Sequence, residues 1–179
     1  ERLEHMTELI LAHGGRVLEG FTGDVPVIHE DAAVAIRDGR VVEIGSYETL
    51  AAAHPRAPVI GNAQSAIIPG LVNAHHHVGL TPLQLGSPDH PLELWFASRL
   101  GLRSVDPYFD TLYSAFEMIA SGVTTVQHLH PRAAGGLAGL ERTADSVLRA
   151  YGDIGMRVSY SMALRDQNRL VYAPDAEFI

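Results

Sequence analysis

From about Pro69 onward, short apolar runs alternate with longer stretches of helical periodicity, and this alternation limits the fold more than any other feature of the sequence. Ala66 to Ala74 reads as a buried strand. Asp106 at an N-cap and Pro107 in the first helical position open a helix over Pro107 to Ser121. Its apolar Leu112, Ala115, Phe116 and Ile119 recur at helical spacing. Gly122 ends that helix, and Val123-Thr124-Thr125-Val126 begins a second strand. Leu140 to Tyr151 fits another helix and Met156 to Tyr160 a third strand. Strands separated by helices belong in a parallel sheet. A closed barrel of eight such units takes roughly 250 residues. About 110 residues follow Pro69, which is room for about three units of ~30 residues. The chain is then either a small three-stranded α/β unit or part of a longer (β/α)8 TIM barrel.

Before Pro69 the pattern is one of hairpins. Thr7 to His13 reads as a strand, with Gly14-Gly15 turning the chain into Arg16-Val17-Leu18. Ala33 to Arg37 and Arg40 to Ile44 flank Asp38-Gly39, a pair suited to a type I′ turn with positive φ at both positions. Ser46 to Ala53 fits a short helix with Ser46 as N-cap, stopped by His54-Pro55. Pro58-Val59-Ile60 and Ser65 to Ile68 are further short strands. The boundary falls between residues 1–68, an antiparallel β segment, and residues 69–179, the α/β part.

The chemical signal sits where the character changes. In Ile68-Pro69-Gly70-Leu71-Val72-Asn73-Ala74-His75-His76-His77 an apolar strand ends in consecutive histidines. Side chains alternate faces along a strand, so His75 and His77 point one way and His76 the other. Two imidazoles at that spacing can hold one cation at ~2.0–2.1 Å from each nitrogen, at the strand end where barrel enzymes collect catalytic groups. Composition narrows the rest. The chain has no cysteine, which excludes disulfides and thiolate ligands and fits a reducing cytoplasm. A net charge of −8 without a basic patch argues against a nucleic-acid partner. No apolar run approaches the length of a membrane span.

The segment Pro69 to His77 resembles the signature of the amidohydrolase superfamily. That resemblance implies a small β-sandwich built from both chain ends beside a distorted TIM barrel. It also implies that the outer histidines of His-x-His, here His75 and His77, bind the metal. His76 holds the unassigned x position. Two-metal members similar to dihydroorotase and dihydropyrimidinase carry Asp before the motif and Arg two residues after it. Here Asn73 takes the Asp place and Val78-Gly79 follows His77. These substitutions resemble the mononuclear deaminase and chlorohydrolase branch, which includes the cytosine- and guanine-deaminase-like enzymes. Leu92-Glu93-Leu94-Trp95 is similar to the Leu-x-x-Trp of deaminases acting on adenosine-like thioethers. Gly122-Val123-Thr124-Thr125-Val126 is similar to the Gly-x-Thr-Thr that begins the family's second strand, which ordinarily continues to Asp where this chain has His128.

The resemblance implies hydrolytic deamination of a nucleobase-like or other N-heterocyclic substrate by a metal-activated water. One divalent ion is expected, zinc ahead of iron. Amidase or dehalogenase chemistry of the same superfamily, and a truncated non-catalytic fragment, are the alternatives. His128 and His130, two apart at the end of the second strand, are expected at the barrel mouth as substrate contacts. Trp95 is expected to wall the pocket against a flat ring, and Gln84 to offer a polar contact from the loop after the first strand. The general base, the acid and the remaining ligands of the family lie later than Ile179, so the chain is expected to be part of a longer, homo-oligomeric protein. Its Ala173 to Ile179 end reads as the start of a loop and helix. His13, His29, His54, His90 and Glu117 read as packing or solvated residues.

Overall fold

The computed structural model describes residues 9–77, 90–100, 105–130, 135–163 and 176. Gln84 lies outside them, as does most of the Ala173 to Ile179 end. The chain divides into two compact units, Glu1–Pro69 and Gly70–Ile179.

In the first unit, β1 (Ile10–Thr22), β2 (Val25–Arg37), β3 (Arg40–Ser46) and β4 (Val59–Ile67) form one sheet in the order β3-β2-β1-β4, with α1 (Tyr47–Ala53) between β3 and β4. The Asp38-Gly39 turn has the expected positive φ at both residues, 52° and 71°. The expected turn at Gly14-Gly15 does not form. β1 runs unbroken through both glycines, and the hairpin closes at Thr22–Val25 instead. The glycines serve close approach: a Cβ on Gly15 would lie 2.0 Å from the carbonyl oxygen of Ala63 on β4. β4 is one strand where two were expected, and it pairs parallel to β1 because the chain crosses over through α1. Ser46 holds the N-cap position of α1 without a side-chain bond.

Each face of this sheet carries a buried cluster, following the alternation along β2. Ala33 and Ala35 pack with Leu11 and with Leu50 of α1, whereas Ala32 and Val34 pack with Val17 on the other face. His13, expected to be inert, is nearly buried; it lies 2.8 Å from Asp31 and stacks on Tyr47 at 3.7 Å between ring centres.

In the second unit, β5 (Leu71–His76), β6 (Val123–His130) and β7 (Arg157–Met162) form a three-stranded parallel sheet in that order. Among the described residues its helices include α2 (Leu92–Leu100), α3 (Pro107–Ala120) and α4 (Gly136–Ile154). The expected Ala66 to Ala74 strand is split. Pro69 has no N–H for a ladder, so β4 ends at Ile67 and β5 begins at Leu71 in a different sheet. Nor is β5 buried, since Leu71 is 49% and Val72 66% exposed.

α3 begins as expected, with Asp106 accepting from Tyr108 N at 2.8 Å and Pro107 opening the helix. Its buried face keeps Ala115 of the expected apolar residues but not Phe116 or Ile119. Thr111, Ala115 and Met118 are buried, while Phe116 is 60% and Ile119 45% exposed. Ala115, Met118, Val126, Val147, Tyr151 and Met156 form the core between sheet and helices. The Tyr108 hydroxyl donates to Asp153 at 2.8 Å, tying α3 to α4. Among the described residues, no helix is long and apolar enough to cross a membrane.

Candidate metal centre

The parallel pairing of β5 with β6 sets the site. Gly70 makes the pairing possible, because a Cβ there would lie 2.2 Å from Thr124 Oγ1. Leu71 N then donates to Gly122 O at 2.9 Å, and the register runs from Leu71 opposite Val123 to His76 opposite His128. An irregularity between Asn73 and His76 loosens the ladder at the histidine end. There the Asn73 side chain accepts from His75 N at 3.2 Å.

His75 and His77 come together on one face. Their Nε2 atoms are 3.0 Å apart and their rings meet nearly edge to face, at 82°. Two nitrogens at that separation can each lie ~2.0–2.1 Å from one common point, the distance a zinc–imidazole bond requires. His77 Nδ1–H donates to the Leu129 carbonyl of β6 at 2.8 Å. This fixes the tautomer of the neutral ring and leaves the Nε2 lone pair facing His75. The donor set therefore fits a borderline-soft divalent cation as two ligands of a larger shell. Among the described residues, no group of three or more His, Asp or Glu could hold a metal by itself.

His76 points the other way. Its ring meets that of His128 at 6.3 Å between centres, and its buried Nε2 has no partner. Burial and, after it, the neighbouring His77 lower its pKa, against the pull of Asp110 and Glu117 on α3.

His128 and His130 share a face as expected, but it is the face opposite to that of His75 and His77. Both are buried with Val126 under the helices. His128 Nδ1 lies 3.0 Å from the Tyr151 hydroxyl of α4, and His128 Nε2 lies 3.1 Å from His130 Nδ1. Tyr160 of β7 leans on both rings. The strand period explains the correction: Val126, His128 and His130 have one parity, and Val126 belongs to the core. Burial first, then His130, His76 and His77, pushes His128 down to about 3, so the ring is neutral. Burial, then Asp110, raises Tyr151 and keeps its hydroxyl protonated.

Trp95 sits half-buried on α2. Sequence reasoning missed Tyr151, Tyr160 and the Leu129 carbonyl. The parity of Val126 with His128 held the signal for the first two, whereas a backbone carbonyl leaves none.

Residues 32–57 match the family model of the imidazolonepropionase-like composite domain of bacteria. The chain is 30% identical over 139 residues to the 5-methylthioadenosine/S-adenosylhomocysteine deaminase of Nitratidesulfovibrio vulgaris, covering 75% of this chain and 29% of that protein. The chain thus spans less than a third of that relative's length. The zinc-complexed atrazine chlorohydrolase of Arthrobacter aurescens superposes with a TM-score of 0.69 at 20% identity, over 89% of this chain and 37% of that one. The guanine deaminase of Bradyrhizobium japonicum superposes with a TM-score of 0.60 at 19% identity, over 96% of this chain and 37% of that one.

Proposed function

Because the chain belongs to the amidohydrolase superfamily, in its deaminase and chlorohydrolase branch, we propose that it is the N-terminal part of a metal-dependent hydrolase that deaminates a nucleobase-like or other N-heterocyclic substrate. In this reading the second unit supplies the first three βα units of a (β/α)8 barrel, and the first unit supplies part of the small β-sandwich. The observation that carries the proposal is the convergence of His75 and His77 Nε2, 3.0 Å apart, with His77 Nδ1 held by Leu129 O.

When bound, a divalent ion, zinc ahead of iron, supplies the Lewis acidity that makes water nucleophilic near neutral pH. The chain's own residues present two neutral imidazoles to that ion and hold one of them in the ligating tautomer. Further ligands and the proton-transfer groups come from chain outside these 179 residues, in keeping with a relative of which the match covers 29%. Trp95 and Gln84 are the proposed substrate contacts in this chain. His128 and His130 are not, because the sheet stands between them and the histidine pair. The cytoplasm is the proposed compartment and a homo-oligomer the proposed assembly, with neither nucleic acid nor membrane as partner.

Hydrolytic dechlorination is the second reading, and the superposition on atrazine chlorohydrolase favours it. Ammonia and chloride release by the full-length protein separate the two. The panel holds aminopurines, aminopyrimidines, adenosine thioethers and chlorotriazines, each assayed after chelation and again after zinc is restored. Zinc-dependent ammonia release supports deamination and chloride release alone selects the second reading. Zinc-independent turnover, or turnover of none of the panel, contradicts both.

A further inference from the structure

The Leu129 carbonyl that holds His77 lies between two residues anchored on the opposite side of the sheet. His128 is fully buried and His130 6% exposed. They bond each other at 3.1 Å, with their rings stacked. Tyr151, itself fully buried, ties His128 to α4 at 3.0 Å. Tyr160 packs on His128 from β7 at 5.1 Å between ring centres. The ladder bond from Ala163 N to His130 O, at 2.9 Å, ties the same strand end to the segment after β7. A strand peptide whose two flanking side chains are both anchored cannot rotate its carbonyl without breaking those contacts.

We propose that His128, braced by Tyr151 and His130, is a positioning residue that acts through the backbone of Leu129 to hold His77 in its metal-ligating tautomer. This rests on the reading of His75 and His77 as ligands. It gives the departure at residue 128 a use: the imidazole spans from the helical layer to its strand neighbour, linking α4 to the end of β6. Partners of ligating histidines that fix the tautomer typically change metal affinity ~10- to 100-fold when removed.

The test uses the full-length protein and two readouts. One is the 15N chemical shifts of the His77 imidazole in metal-free protein. The other is zinc affinity by competition with a chromophoric chelator. His128→Leu should mix the His77 tautomers and weaken zinc binding about 10-fold. Tyr151→Phe, which removes only the hydroxyl, should move both readouts in the same direction by less. His128→Gln, which keeps a polar terminus, should restore part of the loss. Val147→Ala, a core truncation in the same unit, controls for destabilisation and should move the melting temperature but neither readout. Unchanged His77 shifts in both His128→Leu and Tyr151→Phe overturn the proposal, as does an equal effect of Val147→Ala. If the wild type binds no zinc, the ligand reading fails on its own, and the His77 tautomer still decides whether His128 positions that ring.

Discussion

At the residue scale, the site rests on where individual nitrogens point. His75 and His77 were legible because strand alternation puts residues two apart on one face. The same rule, applied to Val126, would have sent His128 and His130 under the helices. Their histidine identity suggested a pocket, but parity decides the face. The neutrality of His128 has a thermodynamic consequence. Its folded pKa of about 3 lies below the unfolded value of 6.5, so its stabilising contribution is complete above pH 6.5 and is lost as pH falls toward 3. His130, His76, Tyr151 and Tyr160 face this ring, and none of them is an anion that would stabilise its charged form. Chemical denaturation should show unfolding free energy falling between about pH 6 and 4, with this group adding up to ~1.4 kcal/mol per pH unit. His128→Gln should flatten that slope; an unaltered slope would mean that the ring is not held neutral.

At the element scale, the Asp38-Gly39 hairpin, α3 with its Asp106 cap, and the parallel order β5-β6-β7 could all be read from local patterns. What could not be read were glycines used for close approach and the helix face chosen by packing. Gly14-Gly15 looked like a turn because turns and tight strand contacts both select glycine. Phe116 and Ile119 looked like the core of α3 because they are large, but small Ala115 and Thr111 let the helix approach the sheet. Gly70 carries the clearest prediction at this scale. Gly70→Ala would force its methyl into Thr124 and push β5 off β6. The expected cost is about 1–3 kcal/mol, read by thermal unfolding together with weakened zinc binding, since the histidines ride on β5. A variant as stable as the wild type would show that the close approach does not constrain the strand.

At the scale of the molecule, much apolar surface lies open. Phe109, Tyr113, Phe116 and Ile119 recur along one side of α3 at 66%, 43%, 60% and 45% exposure, a stripe that helical spacing makes continuous. Leu71 and Val72 of β5 are exposed as well. Surfaces of this kind mark contacts with further protein. These 179 residues expressed alone should therefore bind a hydrophobic dye or self-associate in sedimentation, and the full-length protein should do neither to the same degree. A monodisperse, dye-silent 179-residue monomer would contradict this.

In the proposed reading His75 and His77 share one divalent ion, which a zinc-binding isotherm on metal-free full-length protein checks. We predict about one zinc per chain in the wild type, with affinity lowered at least ~100-fold by His77→Ala and by His75→Ala and left within about twofold by His54→Ala, a histidine outside the pair. Zinc bound as tightly in both ligand variants as in the wild type would contradict the account.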